Sequence, residues 1–229
     1  MASTRTPAKR PSRIGAAGRD TRARRDANVS SVSSTRQAAA TVPGLDRGDA
    51  GKVIEELQTR LVGFIDLSLT LKHIHWNVVG PSFIGVHQML DPQVAGVLLM
   101  VDAVAERIAT LGGSPNGLPG NLVATRAWDD YDLGRADVQS HLAALDLVYG
   151  GVIASARELV DTLEDLDLVT QDLVIGQIAQ LEQYQWFVRA HLEDAAGGLL
   201  HRGETTELGA AAKATRTRGR AANGNGNRH

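Results

Sequence analysis

The sequence predicts an all-α fold, a four-helix bundle whose second and third helices are joined by a long crossover carrying a short helix. Three observations carry this. Apolar residues recur at a helical period over four separate stretches, Gly and Pro clusters stand where three of those stretches stop, and no stretch reads as a strand. The second connection is long, and crossovers of that length join parallel neighbours in bundles.

The first helix is expected from Asp49 to about Val79, on Val53, Leu57, Leu61, Phe64, Ile65, Leu69, Leu71 and Ile74, with Gly80-Pro81 as its stop. A second runs from about Ser82 to Leu111 and closes at Gly112-Gly113-Ser114-Pro115. Residues 114–134 mix Pro, Gly, Asn and acids with an apolar patch around Trp128 and read as a connection that holds one short helix. The third helix is expected from roughly Arg135 to Leu163. The fourth starts at Thr170 as N-cap, with Asp172 in its first turn, and ends near Ala196 before Gly197-Gly198.

Charge divides the chain into three. Residues 1–40 carry nine Lys or Arg against two acids, a net of +7; residues 201–229 carry six against two, a net of +4; the body between holds 22 acids and 9 bases, a net of −13. The expected layout is a basic disordered tail over 1–48, a folded domain over 49–199 and a second basic disordered tail over 200–229. An Arg-rich, acid-poor N-terminus also fits an organellar transit peptide. The similar composition of the C-terminal tail, which no presequence explains, favours paired basic arms. The absence of cysteine excludes disulfides, thiolate zinc sites and iron–sulfur clusters, so any metal must use nitrogen and oxygen ligands. No apolar run is expected to reach the ~18 residues that cross a bilayer, so a cytoplasmic protein with no membrane partner is expected.

The residues that point to chemistry are His75, His87, Asp91, Asp102 and Glu106. The last four fall on one face of the second helix as two i, i+4 pairs, yet Asp91 and Asp102 stand eleven residues, or about 16 Å, apart along the axis. No single ion bridges that distance. Two copies of this helix crossing antiparallel about a two-fold axis bring His87 and Asp91 of one against Asp102 and Glu106 of the other. The midpoint falls between Gly96 and Val97, where a glycine permits close approach. His75 ends the preceding helix and can fold over as a further nitrogen ligand, whereas His73 lies about 200° away around that helix. Two imidazoles and three carboxylates suit Fe(II), Zn(II) or Mn(II), iron being the redox-active candidate.

The run Lys72-His73-Ile74-His75-Trp76-Asn77-Val78-Val79-Gly80-Pro81-Ser82-Phe83, followed by Val86-His87-Gln88-Met89-Leu90-Asp91 and Val101-Asp102-Ala103-Val104-Ala105-Glu106-Arg107, resembles the Dps family of ferritin-like mini-ferritins. The resemblance covers roughly residues 50–197. It implies a ferroxidase centre on His75, His87, Asp91, Asp102 and Glu106, shared across a two-fold interface. It also implies a shell of twelve subunits, Fe(II) oxidation preferentially by hydrogen peroxide and ferric mineral stored inside. Zinc or manganese would compete at the same site. Asp167 and Asp172 resemble the acidic segment of the family's iron-entry pores, where a negative field concentrates cations. Pro92, directly after Asp91, departs from the pattern and is expected to kink the second helix.

A lone histidine near a helix end is usually a cap or a core residue, and only the matching spacing of the other four turns His75 into an expected ligand. Trp76 and Trp186 are read as core packing rather than electron donors. The tails can be read as solvated linkers. Multiplied around an acidic shell, however, Arg5, Lys9, Arg10, Arg13, Arg19, Arg22, Arg24, Arg25, Lys213, Arg216, Arg218 and Arg220 suit sequence-independent DNA binding and nucleoid association. The competing reading is a nucleoid-compacting structural protein with a slow or zinc-occupied metal site. A maxi-ferritin is excluded, since the chain has no Glu-x-x-His.

Overall fold

The structure, a computed structural model, describes residues 42–224. Helix α1 spans Arg47–Asn77 and starts at Asp46, whose carboxylate accepts the Gly48 N–H, rather than near Asp49. The expected apolar stripe is its buried face: Val53, Leu57, Leu61, Phe64, Leu67, Leu71 and Ile74 are all closed off from solvent. Beyond Asn77 the chain is extended instead of helical, forming strand β1 (Val78–Val79), and Gly80 reverses it with φ +108°.

Helix α2 (Phe83–Thr110) packs along α1. Pro92 does not interrupt it. Both Pro92 and Gln88, whose carbonyl loses its donor, are on the exposed side of the helix. Against expectation, α2 is long and apolar enough to cross a membrane, because its average composition passes even though charged residues break every continuous run. In this fold it is a bundle helix resting on α1 and carrying Asp91, Asp102, Glu106 and Arg107.

The crossover holds the one short helix expected in it, α3 at Pro119–Thr125, started by a proline at its first position. Trp128 packs against the core, its ring against Gly63. Strand β2 (Ala136–Asp137) pairs in parallel with β1, Val78 opposite Ala136 and Val79 opposite Asp137, and so ties the end of α1 to the start of α4. Helix α4 (Val138–Leu163) is capped by Asp137, which accepts the N–H groups of Gln139 and Ser140. Helix α5 (Leu168–Ala190) packs along α4 and is capped by Asp167, not Thr170. It ends six residues before Ala196, in turns closed by Asp194 and Gly198.

The C-terminal segment corrects the expectation of a disordered tail over 200–229: Glu207–Gly224 is a helix, α6, packed along α4. Its Ala- and Gly-rich composition hides a small-residue stripe. Ala210, Ala211 and Ala214 are buried, and alanine is the best helix former. His201 and Asp146 close the segment from below: the His201 Nε2–H donates to Asp146 Oδ2 at 3.0 Å, while Oδ1 accepts from Gln185 and Arg189 at 2.8 and 2.7 Å. Glu207 accepts the Asp132 N–H, and Lys213 reaches the Arg202 carbonyl.

Candidate metal centre

The last turn of α1 and the first turns of α2 face each other across the Gly80 reversal, and this fixes two imidazoles against each other. The rings of His75 and His87 stack with centroids 3.6 Å apart. Each Nδ1 meets the main-chain oxygen of the other residue, His75 Nδ1 to His87 O at 3.0 Å and His87 Nδ1 to His75 O at 2.9 Å. A carbonyl only accepts, so both Nδ1 atoms carry the proton and both Nε2 lone pairs are left for a cation, with the ring planes already set. His75 is nearly buried.

Asp91, one turn beyond His87, completes a group whose ligand atoms all lie within 4.8 Å of one another. Its Oδ1 is 3.4 Å from His75 Nδ1 and 3.0 Å from Lys72 Nζ. The hydrogen bond from Lys72 holds the Asp91 carboxyl below the usual range. Lys72 stands in the His-containing motif but drew no role from the sequence. The available signal was its position one turn before His75.

Asp102 and Glu106 are exposed on α2 and are not drawn to His75 within one subunit. They lie on the stripe that also presents Asp91, Ala95, Leu98 and Leu99 to solvent. Gly96 is not on that stripe for the reason expected: a Cβ there would stand 2.0 Å from the Tyr184 hydroxyl of α5, so the glycine serves packing within the chain. His73 stays apart, its Nε2 2.7 Å from the Leu133 carbonyl. Trp76 and Trp186, expected in the core, are instead exposed, at 71% and 62%.

Asp167 is engaged by its own helix and by α2. Its carboxylate accepts from Thr170 and from Arg107 Nη2, and although burial pushes its pKa up, those bonds hold it below the usual range. Asp172 is exposed one turn further on. Lys213 is turned toward Glu204 and Arg202, and Arg216 is exposed. Arg5, Lys9, Arg10, Arg13, Arg19, Arg22, Arg24 and Arg25, and the side chains of Arg218 and Arg220, lie outside the described residues.

Residues 54–197 match the family described as the ferritin-like domain. A protein of Mycolicibacterium smegmatis described as a DNA protection during starvation protein is 60% identical over 176 residues, covering 77% of this chain and 96% of that protein. The chain belongs to the Dps family of ferritin-like proteins. Among solved Dps structures, that of Mycobacterium smegmatis Dps superposes with a TM-score of 0.72 at 57% identity, over 74% of this chain and 96% of that one. DpsA14 from Streptomyces coelicolor superposes at 0.69 with 58% identity, over 71% and 97%. The ferritin-like fold implies iron binding, and among the described residues His75, His87 and Asp91 form a candidate metal-binding group of two imidazoles and a carboxylate.

Proposed function

We propose that this Dps protein is a ferroxidase that takes Fe(II) as substrate at a site shared between two copies. It passes electrons preferentially to hydrogen peroxide and stores the Fe(III) mineral in a twelve-subunit shell. The reciprocal Nδ1 bonds of His75 and His87 carry the reading, because they hold both Nε2 atoms ready for a borderline cation beside the hard Asp91 carboxylate. Asp102 and Glu106 of a second copy would complete the set about a two-fold axis. The exposed apolar side chains Leu69, Trp76, Phe83, Leu98 and Leu99 along α1 and α2 support such an interface. Peroxide takes one electron from each of two ferrous ions and, with two protons, leaves as water. Zn(II) or Mn(II) would occupy the same ligands as competitors. Asp172, and the part of the Asp167 charge left by Arg107, would draw cations toward the shell. Basic residues of both termini would hold DNA through its phosphates without base readout, and the protein would then sit at the cytoplasmic nucleoid; the similarity to a protein described as a DNA protection during starvation protein supports a DNA-directed role. The cation-ready imidazole pair favours this over compaction of DNA as the sole role.

The test is anaerobic loading with Fe(II), addition of hydrogen peroxide and a record of ferric absorbance, for the native chain and for His75→Ala combined with Asp102→Ala. Fast oxidation in the native chain, slowed at least a hundredfold in the variant, is expected. Equal slow rates in both would refute the shared site.

A further inference from the structure

The chain has three tyrosines, and their hydroxyl groups meet different surroundings. Tyr149 donates to the Gln93 side-chain oxygen, part of an amide that takes up no proton at neutral pH. The Tyr184 hydroxyl lies against the backbone at Gly96. Tyr131, in the crossover, meets a base. Its hydroxyl is 3.1 Å from Nδ1 of His141, at the start of α4, with the His141 main-chain oxygen further off at 3.3 Å. The two ring planes are 12° from parallel with centroids 6.0 Å apart, too far for contact face to face, so the hydroxyl meets the imidazole near its edge, where a ring nitrogen carries its lone pair. His141 is fully buried, and burial pushes its pKa down, which leaves the ring neutral at neutral pH and able to accept a proton. Burial, with the negative charges of Glu207 and Asp132 behind it, pushes the Tyr131 phenol well above its usual value and keeps it protonated. His73 links this pair to the end of α1: its ring meets Tyr131 edge-on with centroids 5.9 Å apart, its Nε2 is fixed on the Leu133 carbonyl at 2.7 Å, and it stands two residues before His75.

A phenol that loses an electron and keeps its proton becomes a cation, which is costly in a buried site. A neutral imidazole at hydrogen-bond distance removes that cost by taking the proton as the electron leaves. We propose that Tyr131 and His141 form a redox pair, in which Tyr131 gives one electron to the oxidant left when a single ferrous ion meets hydrogen peroxide, and its phenol proton passes to His141 Nδ1. This role rests on the ferroxidase reading. Two ferrous ions reduce peroxide fully to water, whereas one ferrous ion and one proton leave ferric iron, one water and a hydroxyl radical. That oxidising equivalent is cancelled when Tyr131 supplies an electron and solvent supplies a second proton, giving a second water. The phenol O–H bond breaks, a neutral tyrosyl radical remains, and His141 becomes an imidazolium, which the main chain at Asn77 and Gly134 favours. Tyr149 and Tyr184 have no such acceptor among the described residues and are not expected to serve.

Metal-free, full-length protein is loaded anaerobically with one Fe(II) per subunit, mixed with one equivalent of hydrogen peroxide and frozen for electron paramagnetic resonance, with ferric absorbance followed in parallel. A radical spectrum is expected that narrows when the protein is made with ring-deuterated tyrosine and that falls at least tenfold in Tyr131→Phe. Ferric absorbance in the native chain without a tyrosyl radical, or a tyrosyl radical that survives Tyr131→Phe, overturns the redox pair alone; no ferric absorbance at all overturns the ferroxidase reading with it. A second measurement needs no variant to fold. In native protein prepared in deuterated water, electron–nuclear double resonance is expected to show an exchangeable deuteron hydrogen-bonded to the radical oxygen, together with coupling to histidine nitrogen. A radical without that deuteron removes His141 as the proton acceptor and overturns the proposal.

Discussion

Single residues in this subunit are constrained by contacts that no local pattern encodes. Gly96 is the sharpest case. Its place midway between His87 and Glu106 suggests a role at a two-fold crossing, yet Tyr184 of α5 comes so close that an added Cβ would lie 2.0 Å from the hydroxyl. Alanine gains about 1 kcal/mol of helix propensity over glycine, while overpacking of this kind costs about 1–3 kcal/mol and must also displace a ring that is itself buried. Gly96→Ala is therefore expected to lower the melting temperature at fixed protein concentration, and Gly96→Ala with Tyr184→Phe to recover most of the loss. A single variant as stable as the native chain would show that the contact is slack. His75, His87 and Asp91 were legible because the i, i+4 step and the short turn before α2 convert sequence spacing directly into proximity. Lys72 was not legible as the partner of Asp91, because the reach of a long flexible side chain follows no period.

At the scale of elements, the four bundle helices could be read from the chain, since each carries a broad apolar stripe, and the short crossover helix from the length of the connection that holds it. What escaped were the termini set by capping: Asp46, Asp137 and Asp167 each accept main-chain N–H groups, and each moves a boundary away from where the apolar period alone places it. Helix α6 escaped altogether. Its buried face is three alanines, a stripe too weak to register against seven glycines and a basic excess in residues 197–229, and its docking depends on partners far away in sequence. Asp146 is the central one. Burial pushes its carboxyl up, but the bonds from His201, Arg189 and Gln185 outweigh this and hold it below the usual range. A depressed folded pKa means that its contribution is present above the ordinary carboxylate pKa and is lost as pH falls through the lowered value. Amides of α6 are thus expected to be protected from hydrogen exchange at neutral pH and to lose protection under acid conditions. Asp146→Asn should reproduce that loss at pH 7, and full protection in this variant would show that the alanine stripe docks α6 unaided.

For the whole molecule, the arrangement of charge decides what the proposed shell would hold. The body is acidic by thirteen charges and the two ends are basic by seven and four, so DNA phosphates are repelled by the one and attracted by the others. The C-terminal share is partly spent inside the fold, because Lys213 is turned toward Glu204 and the Arg202 carbonyl. Residues 1–40 carry the larger net charge in any case. Multiplied over many subunits, even weak phosphate contacts sum to firm binding, and each phosphate neutralised adds about −0.9 to the slope of log K against log salt. Deleting residues 1–40 is expected to weaken duplex binding by more than tenfold at moderate salt and to flatten that slope by several units. Deleting residues 217–229, which spares the docked part of α6, should cost less. Fluorescence anisotropy of a labelled duplex, titrated at four salt concentrations with each chain, separates the two contributions. A slope unchanged by the N-terminal deletion would locate the DNA contacts elsewhere on the shell and remove the basic arm from its assigned role.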